Sequence, residues 1–286
     1  DETSLELCDK WILSKLNKVN TKVTALLKEY KLGESAKLLY EFTWNDFCDW
    51  YVEFAKQRFN NKETKNRQIS EKVLIKVLND ILVMIHPFMP HITEELWHVL
   101  QLKPDKELLS LQKWPTQENK FVDNKLDNSF QQLFEIIRLI RNLRAELGLK
   151  PSEKVPVYLI SDNDELIDFL KILVDDIQTL TKSSEVFIFK PNAVDKKEFA
   201  KSFSGIISDL EVYLPFQDFV NIDALKERLT KDLKKVTIEL ENLNKRLSNK
   251  NFVDKAPKDI VDECRFKLNE GSVQMERITK KLELLN

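Results

Sequence analysis

Phe42 is a lone aromatic among the polar residues Asn45, Asp49, Glu53 and Lys56 when residues 36–59 are wound at the roughly 100° per residue of an α-helix. A single ring on a polar face is either a harmless exposed residue or a flat platform for an unstacked nucleobase. Further on, Lys56, Arg58, Lys62, Lys65, Arg67, Lys72 and Lys76 set seven cations against Glu63 and Glu71. Such a patch is either a solvated loop or a set of phosphate contacts. A third group, Arg138, Arg141 and Arg144, falls within about 120° on one side of a helix. Acid–base and metal chemistry have less to draw on. His86, His91 and His98 are the only histidines, and no carboxylate or thiol stands with them at a ligand spacing. Glu94 and Glu95 come nearest to an acid–base group, and the positive end of a short helix accounts for them. No nucleophile–base cluster is visible, and the four glycines are too scattered to cradle a phosphate, which sets aside an independent enzyme.

These candidates must be held mostly by helices. Of 286 residues, 32% are charged, 42% are hydrophobic and only 4 are Gly, a composition for long helices and for two or three folded units with real cores. The net charge of −2 means that any nucleic-acid contact depends on local basic patches. The chain opens on Asp rather than Met and has no signal-like apolar run, as expected of a segment of a longer protein. No stretch approaches the roughly 20 apolar residues of a membrane span. Cys8, Cys48 and Cys264 are few, odd in number and far apart, which points to a reducing compartment and away from a disulfide framework or a zinc knuckle.

Apolar periodicity predicts a helix from Leu5 to Tyr30, closed at Gly33. In the helix of residues 36–59, Tyr40, Trp44, Phe47, Tyr51 and Phe54 form one aromatic stripe with Trp50 at its edge, the pattern of a buried bundle face. Residues 60–68 read as a loop, Ser70 as the cap of a helix to Ile85, and Thr93 as the cap of a helix to Leu100. Residues 1–118 are therefore expected to be an antiparallel helical bundle, ending near Trp114-Pro115. Residues 119–216 read as a linking helix, stopped by Gly148, and a small α+β unit with strands at 155–160, 186–189, 205–208 and 210–214 and a helix at 164–174. In residues 217–286, Leu225, Leu229, Leu233, Val236, Leu240, Leu243 and Leu247 form one narrow stripe. After Pro257, Ile260, Cys264, Leu268, Met275, Ile278, Leu282 and Leu285 form another. Two such stripes fold back as an antiparallel coiled-coil hairpin, so the fold class is mainly α.

Certain stretches carry a further signal. DKWILSKLN, LYEFTWNDFCDWYVEFAK and IHPFMPHITEELW closely resemble the anticodon-binding helical domain of the class I aminoacyl-tRNA synthetases for valine, isoleucine and leucine. RNLRAELGLKPSEKVPV, EVYLPFQDFVNIDALKERL and LSNKNFVDKAP are similar to the C-terminal region of the valyl-tRNA synthetase family, coiled-coil arm included. The likeness runs in order along essentially the whole chain. HIGH-like and KMSKS-like signatures of that family's catalytic half do not occur here, and the editing domain is absent too. The resemblance thus implies the tRNA-binding part of a ligase that joins valine to its tRNA, with no catalytic residue, metal or cofactor in this segment and with ATP and Mg belonging to the catalytic half.

On that resemblance, Phe42 stacks an anticodon base while Asn45 and Asp49 read base edges beside it. Lys56, Arg58, Lys62, Lys65 and Arg67 hold backbone phosphates, which position the RNA without discriminating sequence. Arg138, Arg141 and Arg144 either contribute from the neighbouring helix or make salt bridges to the bundle. Lys231, Lys234, Lys235, Lys245, Arg246, Lys250, Lys255 and Lys258 are the arm's candidates for the corner of the L-shaped tRNA. The arm residues 223–286 hold 15 Lys plus Arg against 12 Asp plus Glu, which is compatible with an RNA strut. The implied partners are tRNA(Val) and the remainder of a synthetase chain, in a cytoplasmic monomer without membrane contact. The rival expectation is a coiled-coil protein-interaction module without RNA binding, whose pairing would respond much less to salt.

Overall fold

A computed structural model describes residues 4–60, 64–100, 107–118, 121–216 and 219–285, with the side chains of 60, 64, 65, 250 and 255 outside that description. Helix α1 (Leu7–Lys28) begins with a reciprocal cap in which Glu6 and Asp9 each accept from the other's backbone N–H. Its end needs no glycine. Tyr30 takes the left-handed conformation, φ 58°, and the N–H of Lys31 reaches back to the Leu26 carbonyl at 2.9 Å. Gly33, expected to close this helix, lies inside α2 (Leu32–Glu41) instead.

From α2 the chain continues without a break through ten π-helical residues, Phe42–Tyr51, into α3 (Val52–Asn60). A π-helix closes its hydrogen bonds at i→i+5, so each residue turns the chain by less than in an α-helix. This changes which aromatics face the core. Phe42, Phe47, Trp50, Tyr51 and Phe54 are buried, whereas Tyr40 and Trp44 are exposed. Helix α4 (Thr64–Ile85) starts before Ser70, whose buried hydroxyl accepts from Arg58 instead of capping a helix. Helix α5 (Pro90–Leu100) starts on its proline rather than after Thr93; a proline there loses no hydrogen bond. Thr93 is buried, and its hydroxyl donates to the Met89 carbonyl at 2.8 Å.

These helices and the first part of α6 (Asn124–Leu147) make up one compact unit, Asp1–Phe134. Its centre is aromatic. Trp11 stacks on Phe130 with centroids 5.0 Å apart, and Trp50 stacks on Phe134 at 4.0 Å. The irregular stretch around Trp114-Pro115 is strapped along α1. Asn17 Oδ1 accepts from Glu118 N at 2.7 Å, Asn20 Nδ2 donates to the Pro115 carbonyl at 2.9 Å, and Trp114 Nε1 donates to Thr24 at 2.8 Å.

The second unit, Glu135–Asn286, is described separately. Strands β1 (Val157–Ser161), β2 (Val186–Phe189), β3 (Ser202–Ile207) and β4 (Leu210–Pro215) form one sheet in the order β2-β1-β4-β3. β1 and β2 are parallel, with α7 (Asp164–Ile172) and α8 (Val174–Thr181) between them in the chain, as a parallel crossover requires. Gly205 is needed for close packing, since a Cβ there would come within 2.7 Å of Leu139 Cδ1. The arm is α9 (Ile222–Ser248), a short α10 (Lys250–Lys255) and α11 (Lys258–Leu284). Leu225, Leu229, Val236 and Leu240 are buried in its seam, and from the returning helix so are Val261, Cys264 and Ile278. Ile260 and Met275, expected in the seam, are exposed, and Val261 takes the inward place beside Pro257. Gly271 lets the two helices approach closely at Leu240.

Candidate nucleic-acid interface

The site residues named from the sequence divide into core and surface. Phe42 belongs to the core, with 1% of its surface exposed, so the expected stacking platform is corrected: the π-helical segment rotates this ring inward. Asn45 and Asp49, on the same segment, are exposed as their polar face predicts. Lys56 is exposed and pairs with Glu53 at 2.5 Å, and Arg67 pairs with Glu71 at 2.9 Å. Exposed pairs of this kind contribute at most about 1 kcal/mol, so either cation can exchange its partner for a phosphate. Lys62 lies outside the described residues, as does the side chain of Lys65.

Arg58 is the second correction. Its guanidinium is buried in the bundle and no phosphate can reach it. Nη1 donates to both Asp9 carboxylate oxygens, at 2.9 and 3.0 Å, and to Ser70 Oγ at 2.8 Å, while Nε pairs with Glu6 at 2.9 Å. Tyr51 completes the cluster, its hydroxyl donating to Asp9 Oδ1 at 2.7 Å. The start of α1, Tyr51 and Arg58 thus meet at one carboxylate, and Ser70 of α4 joins them through the guanidinium. Burial disfavours the Asp9 carboxylate, while the hydrogen bonds from Tyr51 and Glu6 favour it; burial prevails and raises the carboxyl to about 6.

A pH effect on stability follows. A carboxyl whose folded pKa lies above its unfolded value of 3.8 adds stability that is fully present below about pH 4 and is lost as pH rises through about 6. The difference corresponds to about 3 kcal/mol. Urea unfolding from pH 4 to 7 should show this loss in the wild type, and Asp9→Asn should remove that part of the slope. Equal slopes for the two proteins would refute the assignment.

In the second unit, Arg141 is exposed, and its Nε donates to the Leu180 carbonyl at 3.0 Å. Arg138 is exposed as well. Arg144 is buried and binds the Lys150 and Glu153 carbonyls at 3.2 and 2.8 Å, closing the turn after α6. Burial lowers its pKa. It is a structural residue, and the expected RNA contact from it is withdrawn.

On the arm, Lys231 pairs with Glu227 at 2.6 Å and Lys235 with Asp232 at 3.9 Å, both well exposed. Lys234, Lys245 and Lys258 are exposed. Arg246 lies over the Phe252 ring, 5.8 Å from its centroid, near the tip of the hairpin. The side chains of Lys250 and Lys255 lie outside the description. What the sequence reading missed is the Asp9–Arg58 cluster and the exposure of Tyr40 and Trp44. The only advance signal for the cluster was a carboxylate directly beside the inward Cys8 of α1.

An aromatic-cored helical bundle followed in the chain by a coiled-coil arm defines the architecture, and comparison with known families gives it a class. Residues 9–159 match the anticodon-binding domain of tRNA ligases, and residues 221–286 match the valyl-tRNA synthetase tRNA-binding arm. The chain belongs to the family of anticodon-binding domains of tRNA ligases and carries the arm of the valyl-tRNA synthetases at its C-terminal end. Among its relatives, the valine–tRNA ligase of Prochlorococcus marinus subsp. pastoris is 74% identical over 285 residues, which is 100% of this chain and 31% of that protein. Those of Synechocystis sp. and Carboxydothermus hydrogenoformans are 40% and 37% identical over 286 residues, 98% and 100% of this chain and 31% and 32% of theirs. The chain spans about a third of the length of the relatives it matches. Among the described residues there is no group of three His, Cys, Asp or Glu placed to hold a metal ion, and no helix is long and apolar enough to cross a membrane.

Proposed function

We propose that this chain is the tRNA-binding part of a valine–tRNA ligase. The bundle takes the anticodon stem-loop and the arm braces the corner of the tRNA, so that the rest of the longer protein can join valine to tRNA(Val) with ATP and Mg. The observation that carries this reading is that both matched families are tRNA-binding parts and lie in order along one chain. Asn45 and Asp49 supply hydrogen-bonding groups for base edges. Lys56 and Arg67 supply phosphate contacts on the bundle; Arg138 and Arg141 are a second basic pair. On the arm, Lys231, Lys234, Lys235, Lys245, Arg246 and Lys258 do so, positioning the RNA without reading it. The working parts are then residues 1–118, 119–216 and 217–286, acting in a cytoplasmic monomer.

The test is titration of the chain with labelled valine and isoleucine tRNA transcripts at low and moderate salt. The expected result is a preference for the valine transcript that disappears when its anticodon is exchanged, with affinity falling steeply as salt rises. Absence of binding to either transcript would overturn the proposal and favour a coiled-coil protein-interaction module.

A further inference from the structure

We infer that the exposed, parallel rings of Tyr40 and Trp44 are the platform on which an unstacked base of the anticodon loop lies. This rests on the anticodon-binding reading above and adds the residues that would receive the base. Tyr40 is 65% exposed and Trp44 56%, and their rings are parallel to within 5° with centroids 6.5 Å apart. Two large aromatics held face-parallel at the surface lose apolar surface to water that a buried position would save, and gain in exchange a flat, ordered stacking surface. The backbone at this point is a second, independent observation. Trp44 stands in the ten-residue π-helical segment, a rare backbone form that recurs at functional sites. That segment sends Phe42 and Phe47 inward and leaves Trp44 outward.

The neighbouring groups fit the same ligand. Asn45, next in the chain and exposed, offers an amide with both donors and an acceptor for a base edge. Lys37, one turn before Tyr40, has its side chain 75% exposed and only a loose contact of 3.8 Å to Glu41, so its ammonium is available to a phosphate. Glu41, next to Tyr40 in the chain, and Asp49, five residues after Trp44, are both exposed, and their negative charge favours a base over a run of phosphates on this segment. Single-stranded loops are recognised in this way, by bases splayed onto aromatic rings and read at their edges. Both rings lie within the residues that match the anticodon-binding domain.

The experiment uses the whole chain and valine-type anticodon stem-loop RNA, with Trp44→Ala, Tyr40→Ala and Trp44→Phe, and with RNAs carrying an abasic nucleotide at each loop position in turn. Trp44→Ala should weaken binding about five- to 150-fold, the range for one stacked base. Trp44→Phe should restore most of it, since a ring is retained. The loss from Trp44→Ala should vanish against one particular abasic RNA and persist against the others. All variants should melt like the wild type. If the wild type discriminates anticodons but Trp44→Ala and Tyr40→Ala bind every RNA equally well, the platform is overturned while the anticodon reading stands. If the wild type does not discriminate, both fall. A marked loss of thermal stability in Trp44→Ala, without coupling to any abasic position, would assign the rings to protein packing and overturn the inference as well.

Discussion

Phe42→Ala is expected to destabilise the bundle by about 3–5 kcal/mol and to leave anticodon discrimination intact in the molecules that remain folded. The ring is 1% exposed in a segment whose neighbours Phe47, Trp50 and Tyr51 are buried with it. Removing it deletes its buried apolar surface and leaves a cavity that close-packed surroundings fill only in part. Urea unfolding at neutral pH reads the first effect. Stem-loop titration at a temperature well below the transition reads the second. Unchanged stability together with a several-fold loss of RNA affinity would return Phe42 to the surface and contradict its placement in the core.

Arg58→Met is expected to have an effect of similar size by a different route. The methionine fills part of the same volume, but Asp9 then keeps a buried carboxylate with no cation beside it. Breaking a buried pair from one side costs about 3–5 kcal/mol. The sign of the pH dependence distinguishes this from a packing defect. Without Arg58, the Asp9 carboxyl rises further above its already raised position, so the penalty should be largest near pH 7 and shrink as the solution is made acidic. A double replacement, Asp9→Leu with Arg58→Met, should recover much of the loss, because apolar groups can replace a buried pair at little net cost. A penalty independent of pH, or no recovery in the double variant, would show that Arg58 matters for packing alone.

Both predictions concern residues that the sequence presented as RNA contacts. A constant turn of roughly 100° per residue over residues 36–59 places Phe42 on the polar face. The π-helical segment breaks that constant, and the change of phase leaves Tyr40 and Trp44 outward from a stripe whose other members, Phe47, Tyr51 and Phe54, are core. Arg58 looked like one member of a basic run because its neighbours in the chain, Lys56 and Lys62, are cations. Its partners Glu6, Asp9 and Ser70 are 52, 49 and 12 residues away, and nothing local announces them. Arg144 is misread for a related reason. Helical spacing places it with Arg138 and Arg141, but the turn after Gly148 brings two backbone carbonyls onto its guanidinium.

Other parts were legible because they depend on local pattern. The seam of α9 follows from leucines at steps of three and four, which alone fix a narrow apolar stripe. The strand at 186–189 and the hairpin of β3 and β4 follow from short apolar runs between turn residues. The mainly helical class follows from few glycines and many charged residues. Family membership was readable from motifs that survive as consecutive residues.

The sequence by itself therefore determined the helical class, the small sheet, the hairpin arm and the family, since each rests on spacing within one segment or on contiguous motifs. The tertiary structure alone decided which of the suitable side chains reach the surface. That depends on helical phase across a π-helical segment and on contacts between residues far apart in the chain. Periodicity within one segment carries no information about either.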